Sequence, residues 1–250
     1  VPFVGFVRNL PPNPGLPLPD RSWEVVRERG TLRVGMDFGR PPFAYTVPDG
    51  QLVGMNVDLA RDLAARLGVQ AEIVNVSADG FTDAVRTGRV DILVSTLPPI
   101  SAFGDIAYSA PYIEIGERVI VRANSPIRTP DDLAGRRVGA ELGSDGDLAL
   151  RVLARSVPLV RDSDYDTGEA AFAALRGGTL DAVIADGIAA RRAVVANPGL
   201  APLPQPVRER PFVWATKRGA VALTMRTDRA LAAARADGSL ARLDARWFAA

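Results

Sequence analysis

Residues 30–68, GTLRVGMDFGRPPFAYTVPDGQLVGMNVDLARDLAARLG, leave few folds open. Residues 31–36 read as a buried strand that halts at an acid, Asp37, because the Gly39-Arg40-Pro41-Pro42 run beyond it cannot continue a hydrogen-bonded ladder. Pro48-Asp49-Gly50 signals a turn between Tyr45 and Leu52-Val53. After Gly54, Leu59, Leu63 and Leu67 fall on one face of a helix that Gly68 closes. Strand, acidic loop, hairpin and helix in that order form the first unit of an open α/β sheet. Such sheets bind ligands at the carboxyl ends of their strands, which makes Asp37 the first candidate site residue.

The remaining chain continues the alternation. A short helix over 22–29 leads into the first strand, and 71–76, 81–87 and 90–96 read as strand, helix and strand. This β-α-β-α-β half calls for parallel strands joined by right-handed crossovers. Pro98-Pro99 breaks the pattern, 108–112 reads as a packed irregular segment, and 117–123 (ERVIVRA) reads as a longer strand leaving the first lobe. A second unit follows: a helical turn at 130–134, a strand at 137–140, a loop at 142–146 and a helix at 147–155, whose first turn Asp145 could cap. Then come a strand at 157–160, a helix at 167–176, and a strand at 180–185 ending at Asp186. The letters repeat as well: AVRTGRVD at 84–91 lies over ALRGGTLD at 174–181, and the same register sets Asp186 over Thr96. Two similar lobes facing one cleft are expected.

Composition narrows the chemistry. The 250 residues suffice for one large domain or two medium ones, and a net charge of +1 without charge blocks points away from nucleic acid and membrane surfaces, toward a small-molecule ligand. With no Cys and no His, thiol nucleophiles, Ser-His triads and nearly all zinc sites are excluded. Carboxylates, hydroxyls and Arg must do the work, and neither a cofactor nor a metal is expected. No apolar run approaches the roughly 20 residues that span a bilayer. Six prolines among the first 19 residues make 1–20 an extended arm, read either as a tail or as a tether. Val1 opens the chain with no leader-like run, the expected look of a mature chain.

The order of these pieces resembles the family 3 solute-binding proteins, the amino-acid receptors of bacterial ABC importers. Their GxLRVG strand, Asp, Pro-Pro-Phe turn and G(F/M)xVDLAxxLAxxLG helix are matched by residues 30–35, Asp37, Pro41-Pro42-Phe43 and 54–68, and the return strand and closing helices by 212–216, 228–236 and 240–248. The resemblance implies an α/β fold of the two-lobed periplasmic-binding-protein type (type II), each lobe a mostly parallel sheet flanked by helices, joined by two hinge strands. The expected bounds are an arm at 1–20, lobe 1 at 21–117 plus 215–250, and lobe 2 at 118–214, with hinges near 118–122 and 212–216. It implies a monomer that closes over a small solute and hands it to an ABC permease. The implied location is periplasmic or extracellular, and a lipid anchor occurs in some members.

The residues that match the family's ligand positions are Ser95, Thr96 and Leu97 in lobe 1, Ser144 and Asp145 in lobe 2, and Asp186, the acid that takes the α-amino group. Asp37, Arg40, Phe103 and Glu141 complete the expected set. Three departures stand beside these matches. Arg40 and Ala78 replace ring residues, and the run 97–105 lacks the Arg that clamps the ligand carboxylate in the family. Arg40 then either replaces that clamp, or the ligand is not an ordinary amino acid. Counting Asp37, Glu141, Asp145 and Asp186 against Arg40 alone gives the expectation of a cationic ligand. A dehydratase acting on cyclohexadienyl substrates is the enzymatic alternative on this fold, but those enzymes resemble the family with a Glu where this chain has Ala189. The sensing domain of a receptor is a third reading.

Overall fold

The computed structural model describes residues 19–94, 96 and 104–248. The first part runs α1 (Ser22–Arg29), β1 (Thr31–Met36), β2 (Gly39–Arg40), β3 (Ala44–Thr46), β4 (Leu52–Val53), α2 (Met55–Arg66), β5 (Gln70–Asn75), α3 (Phe81–Arg86), β6 (Ile92–Val94), β7 (Ile106–Tyr108) and β8 (Ile113–Glu114). The second runs β9 (Arg118–Arg122), β10 (Arg137–Glu141), α4 (Asp145–Leu153), β11 (Val160–Tyr165), α5 (Gly168–Arg176), β12 (Ala182–Ala185), α6 (Gly187–Ala196) and β13 (Leu200–Pro202). The chain returns through β14 (Pro211–Phe212) and β15 (Trp214–Lys217) to α7 (Val221–Ala236) and α8 (Ser239–Phe248). Among the described residues no helix is long and apolar enough to cross a membrane.

Two five-stranded sheets share one plan, β5-β1-β6-β15-β7 and β11-β10-β12-β9-β13. In each the first three strands are parallel, and the fourth runs antiparallel after crossing from the other lobe. The sequence repeat is the reason. Asp91 accepts the backbone N–H of Arg33 at 2.7 Å, and its counterpart Asp181 accepts that of Arg137 at 2.9 Å. Each acid thus clasps the strand beside it, fixing the register of the β1/β6 and β10/β12 pairs. Apolar layers cover both faces of both sheets. In β6, Ile92 and Val94 join one cluster while Leu93 joins another, and in β12 Ala182 and Ile184 face one way and Val183 the other. That explains why the strands read as continuous apolar runs.

The two crossing segments pair with one another. β8 lies antiparallel to β14, Glu117 bridges Arg208, and the Ile115 and Val207 N–H groups donate to the carbonyls of Arg210 and Glu117 at 3.1 and 2.8 Å. This ribbon forms where a side chain at position 116 would not fit. A Cβ on Gly116 would stand 1.9 Å from the Arg208 carbonyl oxygen. The crossings therefore lie a few residues before 118–122 and 212–216, the segments expected as hinges. β9 instead sits between β12 and β13, and β15 between β6 and β7.

Other expectations also shift. The segment 108–112, read as irregular, begins with the end of an edge strand, because β15 offers Ala215 as a partner to Tyr108. The strand expected at 157–160 begins at Val160 and carries the polar run VRDSDY, since it is the edge of its sheet. The helix of 187–196 and strand β13 were not anticipated, and α7 begins seven residues before the expected Asp228.

Replacing Gly116 by Ala should part the ribbon and cost about 1–3 kcal/mol of stability, the usual range for overpacking. Urea and thermal unfolding of the variant check this, and an unchanged midpoint would show that the ribbon has room for a side chain.

Candidate functional site

A cleft of about 670 Å³ opens between the lobes, with the ribbon as its floor. Arg40, Phe43 and Thr96 face it from lobe 1, and Glu141, Ser144, Asp145 and Asp186 from lobe 2. Ile115 and the run 208–212 face it from the ribbon. Every expected residue of lobe 2 is therefore in the wall. Ser95, Leu97 and Phe103 lie outside the described residues.

Asp186 ends β12 and caps α6. Its Oδ1 accepts the backbone N–H groups of Ile188 at 2.9 Å and Ala189 at 3.1 Å, which fixes the carboxylate and favours its charge at a helix N-terminus. The other oxygen is left for the cleft. Gly187 allows the start of this helix to sit against the ribbon, because a Cβ there would be 3.2 Å from the carbonyl oxygen of Gly116. Glu141, at the end of β10, accepts the N–H of Gly168 at 2.8 Å and so serves the first turn of α5.

Two roles differ from expectation. Asp37 is not in the wall of the cleft: its carboxylate accepts the Gly39 N–H at 2.9 Å and the Arg40 Nε at 3.3 Å, so it braces the loop that carries Arg40. Asp145 does not cap α4. Ser144 does, accepting from Asp147 N at 3.1 Å while its hydroxyl donates to the Glu141 carbonyl at 2.7 Å. Asp145 is thereby freed to accept from Arg210 Nη1 at 2.8 Å. That hydrogen bond, with the charges of Arg210 and Arg208, holds the Asp145 carboxyl below its ordinary value, and the same partner raises Arg210.

The arginines of the ribbon are the residues missed from sequence. Arg208 and Arg210 flank Glu117, which is fully buried and whose two carboxylate oxygens make no hydrogen bond among the described residues. Arg210 Nη2 stands 3.6 Å from Glu117 Oε1, and Arg208 Nε 3.9 Å from Oε2. A buried carboxylate costs several kcal/mol unless cations stand beside it, so Glu117 ties both arginines to the ribbon. A signal existed: the run VRERP packs alternating charges immediately before an apolar return strand. Phe43 and Phe212, edge to face at 5.6 Å, supply ring surface that Arg40 and Ala78 cannot. Below Thr96, Tyr112 donates to Asn56 Oδ1 at 3.0 Å, and Asn56 reaches the Val94 carbonyl at 3.4 Å, steadying the end of β6. Burial pushes the Tyr112 hydroxyl up, so it stays a donor.

Residues 32–250 match the bacterial extracellular solute-binding proteins, family 3. The chain belongs to that family. It is similar to the L-cystine-binding protein TcyJ of Escherichia coli, 33% identical over 230 residues that cover 90% of this chain and 85% of the relative. The arginine-binding protein 1 of an Escherichia coli ABC transporter is 25% identical over 87% of this chain and 90% of its own. Among solved structures, the L-cystine solute receptor of Neisseria gonorrhoeae in its unliganded open conformation shares the fold, with a TM-score of 0.80 and 22% identity over 90% of this chain and 96% of that one. The two-lobed α/β architecture expected from sequence is the one observed. Both of these Escherichia coli relatives are binding proteins.

Because Arg210 lowers the Asp145 pKa, their pair contributes stability that is complete above the ordinary carboxylate value of 3.8 and is lost as pH falls through the lower folded value. The stability gap between the protein and its Asp145→Asn variant should therefore be constant near neutrality and narrow below about pH 4. Denaturant titrations at several pH values read this directly. A gap that stays constant into acid would mean that the pair is not formed.

Proposed function

We propose that this family member is the amino-acid receptor of a bacterial ABC importer, closing its lobes over an α-amino acid and delivering it to a membrane permease. The observation that carries the reading is Asp186, a carboxylate fixed at a strand's carboxyl end with one oxygen free for an ammonium group, in a cleft whose other wall carries Thr96 at the corresponding place of the repeat. Relatives named for cystine and arginine binding support the class of ligand. A ligand touching both walls favours the closed state over the open one, which is the signal a permease can read. Residues 1–20, rich in proline, suit a tether to a membrane anchor.

The charge count that pointed to a cation changes with the ribbon included. Arg40, Arg208 and Arg210 stand in the wall beside Glu141, Asp145, Asp186 and Glu209, and Asp37 is occupied with Arg40. Asp145 is neutralised by Arg210. With three arginines in the wall the cleft has a partner for a carboxylate as well as for a cation, and the head group of an amino acid matches it: ammonium to Asp186, carboxylate to an arginine.

A cognate amino acid at ~100 times its Kd should stabilise the protein by about 2.7 kcal/mol, visible as a raised thermal midpoint. The Asp186→Asn variant should bind about 10- to 100-fold more weakly in calorimetry, the worth of a hydrogen bond to a charged group. If none of the common L-amino acids, nor L-cystine, stabilises the unsubstituted protein, the receptor reading fails.

A further inference from the structure

The geometry points to Arg208, on the ribbon between the lobes, as the residue that grips the ligand's carboxylate. This rests on the reading that the ligand is an amino acid, and it names the group that selects one. The lobe-1 run 97–105 carries no Arg, so the cation must come from elsewhere in the wall, and the choice lies among Arg40, Arg208 and Arg210.

The chemistry of the head group decides between them. In an α-amino acid a single carbon separates the ammonium from the carboxylate, so their two sites must be neighbours. The ammonium site, Asp186, sits at the start of α6, and Gly187 presses that start against Gly116 and Ile115 of the ribbon. The strand hydrogen-bonded to that segment is the one carrying residues 208–210. Arg210 is within electrostatic reach of Asp186. Arg40 stands on the other wall, on the exposed strand β2, braced by Asp37.

Of the two ribbon arginines, Arg210 is committed. It bonds to Asp145 at 2.8 Å, stands 3.6 Å from Glu117, and is only 26% exposed. Arg208 is 49% exposed, and its single ion pair among the described residues engages Nε at 3.9 Å, leaving both terminal nitrogens of the guanidinium for a carboxylate. Two parallel N–H donors match the two oxygens of that group. Glu117 is the positioning residue: buried and without a hydrogen bond of its own, it holds the base of the Arg208 guanidinium while the fork faces the cleft. Because Gly116 lets the 208 backbone pair closely with it, the clamp rides on the part of the molecule common to both lobes. The head group can then be held before the lobes close, which leaves closure to the ligand's side chain.

The test compares amino acids with the amines that lack only their carboxyl groups: L-cystine with cystamine, L-arginine with agmatine, and L-lysine with cadaverine, by calorimetry. The unsubstituted protein should prefer the amino acid of whichever pair binds. In Arg208→Ala that preference should fall by about 10- to 100-fold, mainly through weaker amino-acid binding, with amine binding little changed. Arg208→Lys, which keeps the charge without the fork, should fall between. Arg40→Ala should keep the preference. Thermal midpoints separate a lost clamp from a lost fold, and Arg210 still faces Glu117 in the Arg208 variants. An unchanged preference in folded Arg208→Ala, or its loss in Arg40→Ala alone, would overturn the ribbon clamp while leaving the receptor reading intact. Failure of the unsubstituted protein to bind any amino acid would overturn both.

Discussion

The molecule depends on one close approach, that of the two segments crossing between the lobes. They are close enough to hydrogen-bond only because position 116 lacks a side chain, and their pairing buries the carboxylate of Glu117 between two arginines. Each crossing segment then enters a sheet as its fourth strand, β9 in lobe 2 and β15 in lobe 1. Neither sheet is complete without the chain that has passed through the other lobe. The ribbon is therefore at once the link between the lobes, the source of one strand for each, and the floor of the cleft.

Around that floor the charges are arranged so that few are spare. Glu141 and Asp186 satisfy the first turns of α5 and α6, Asp145 pairs with Arg210, and Asp37 holds Arg40. Carboxylates held this way accept backbone N–H groups or guanidinium donors and do not repel one another freely. What the cleft leaves for a ligand is one oxygen of Asp186, the carboxylate of Glu209, the fork of Arg208, the hydroxyl of Thr96 and ring surface from Phe43 and Phe212. On the reading proposed above, that inventory is a head-group site with an apolar flank.

The sequence by itself determined the alternation of strands and helices, the repeat and the acid at the end of β12. These rest on local physics: apolar period, glycine and proline stops, and an Asp placed eight residues along the same helix-turn-strand unit in both lobes, at 91 and 181. The repeat was legible as letters because each of those acids does the same job, clasping the neighbouring strand. Only the tertiary structure decided where the lobes are joined and which charges meet. Arg208 and Arg210 lie 63 and 65 residues from Asp145 and 91 and 93 from Glu117, so no window along the chain brings them together. The cap of α4 turned on a single position, Ser144 in place of Asp145, because a strong acceptor at either residue satisfies the local pattern and only the distant Arg210 breaks the tie. Site residues fixed by their own loop could be read; those fixed by a partner across the fold could not.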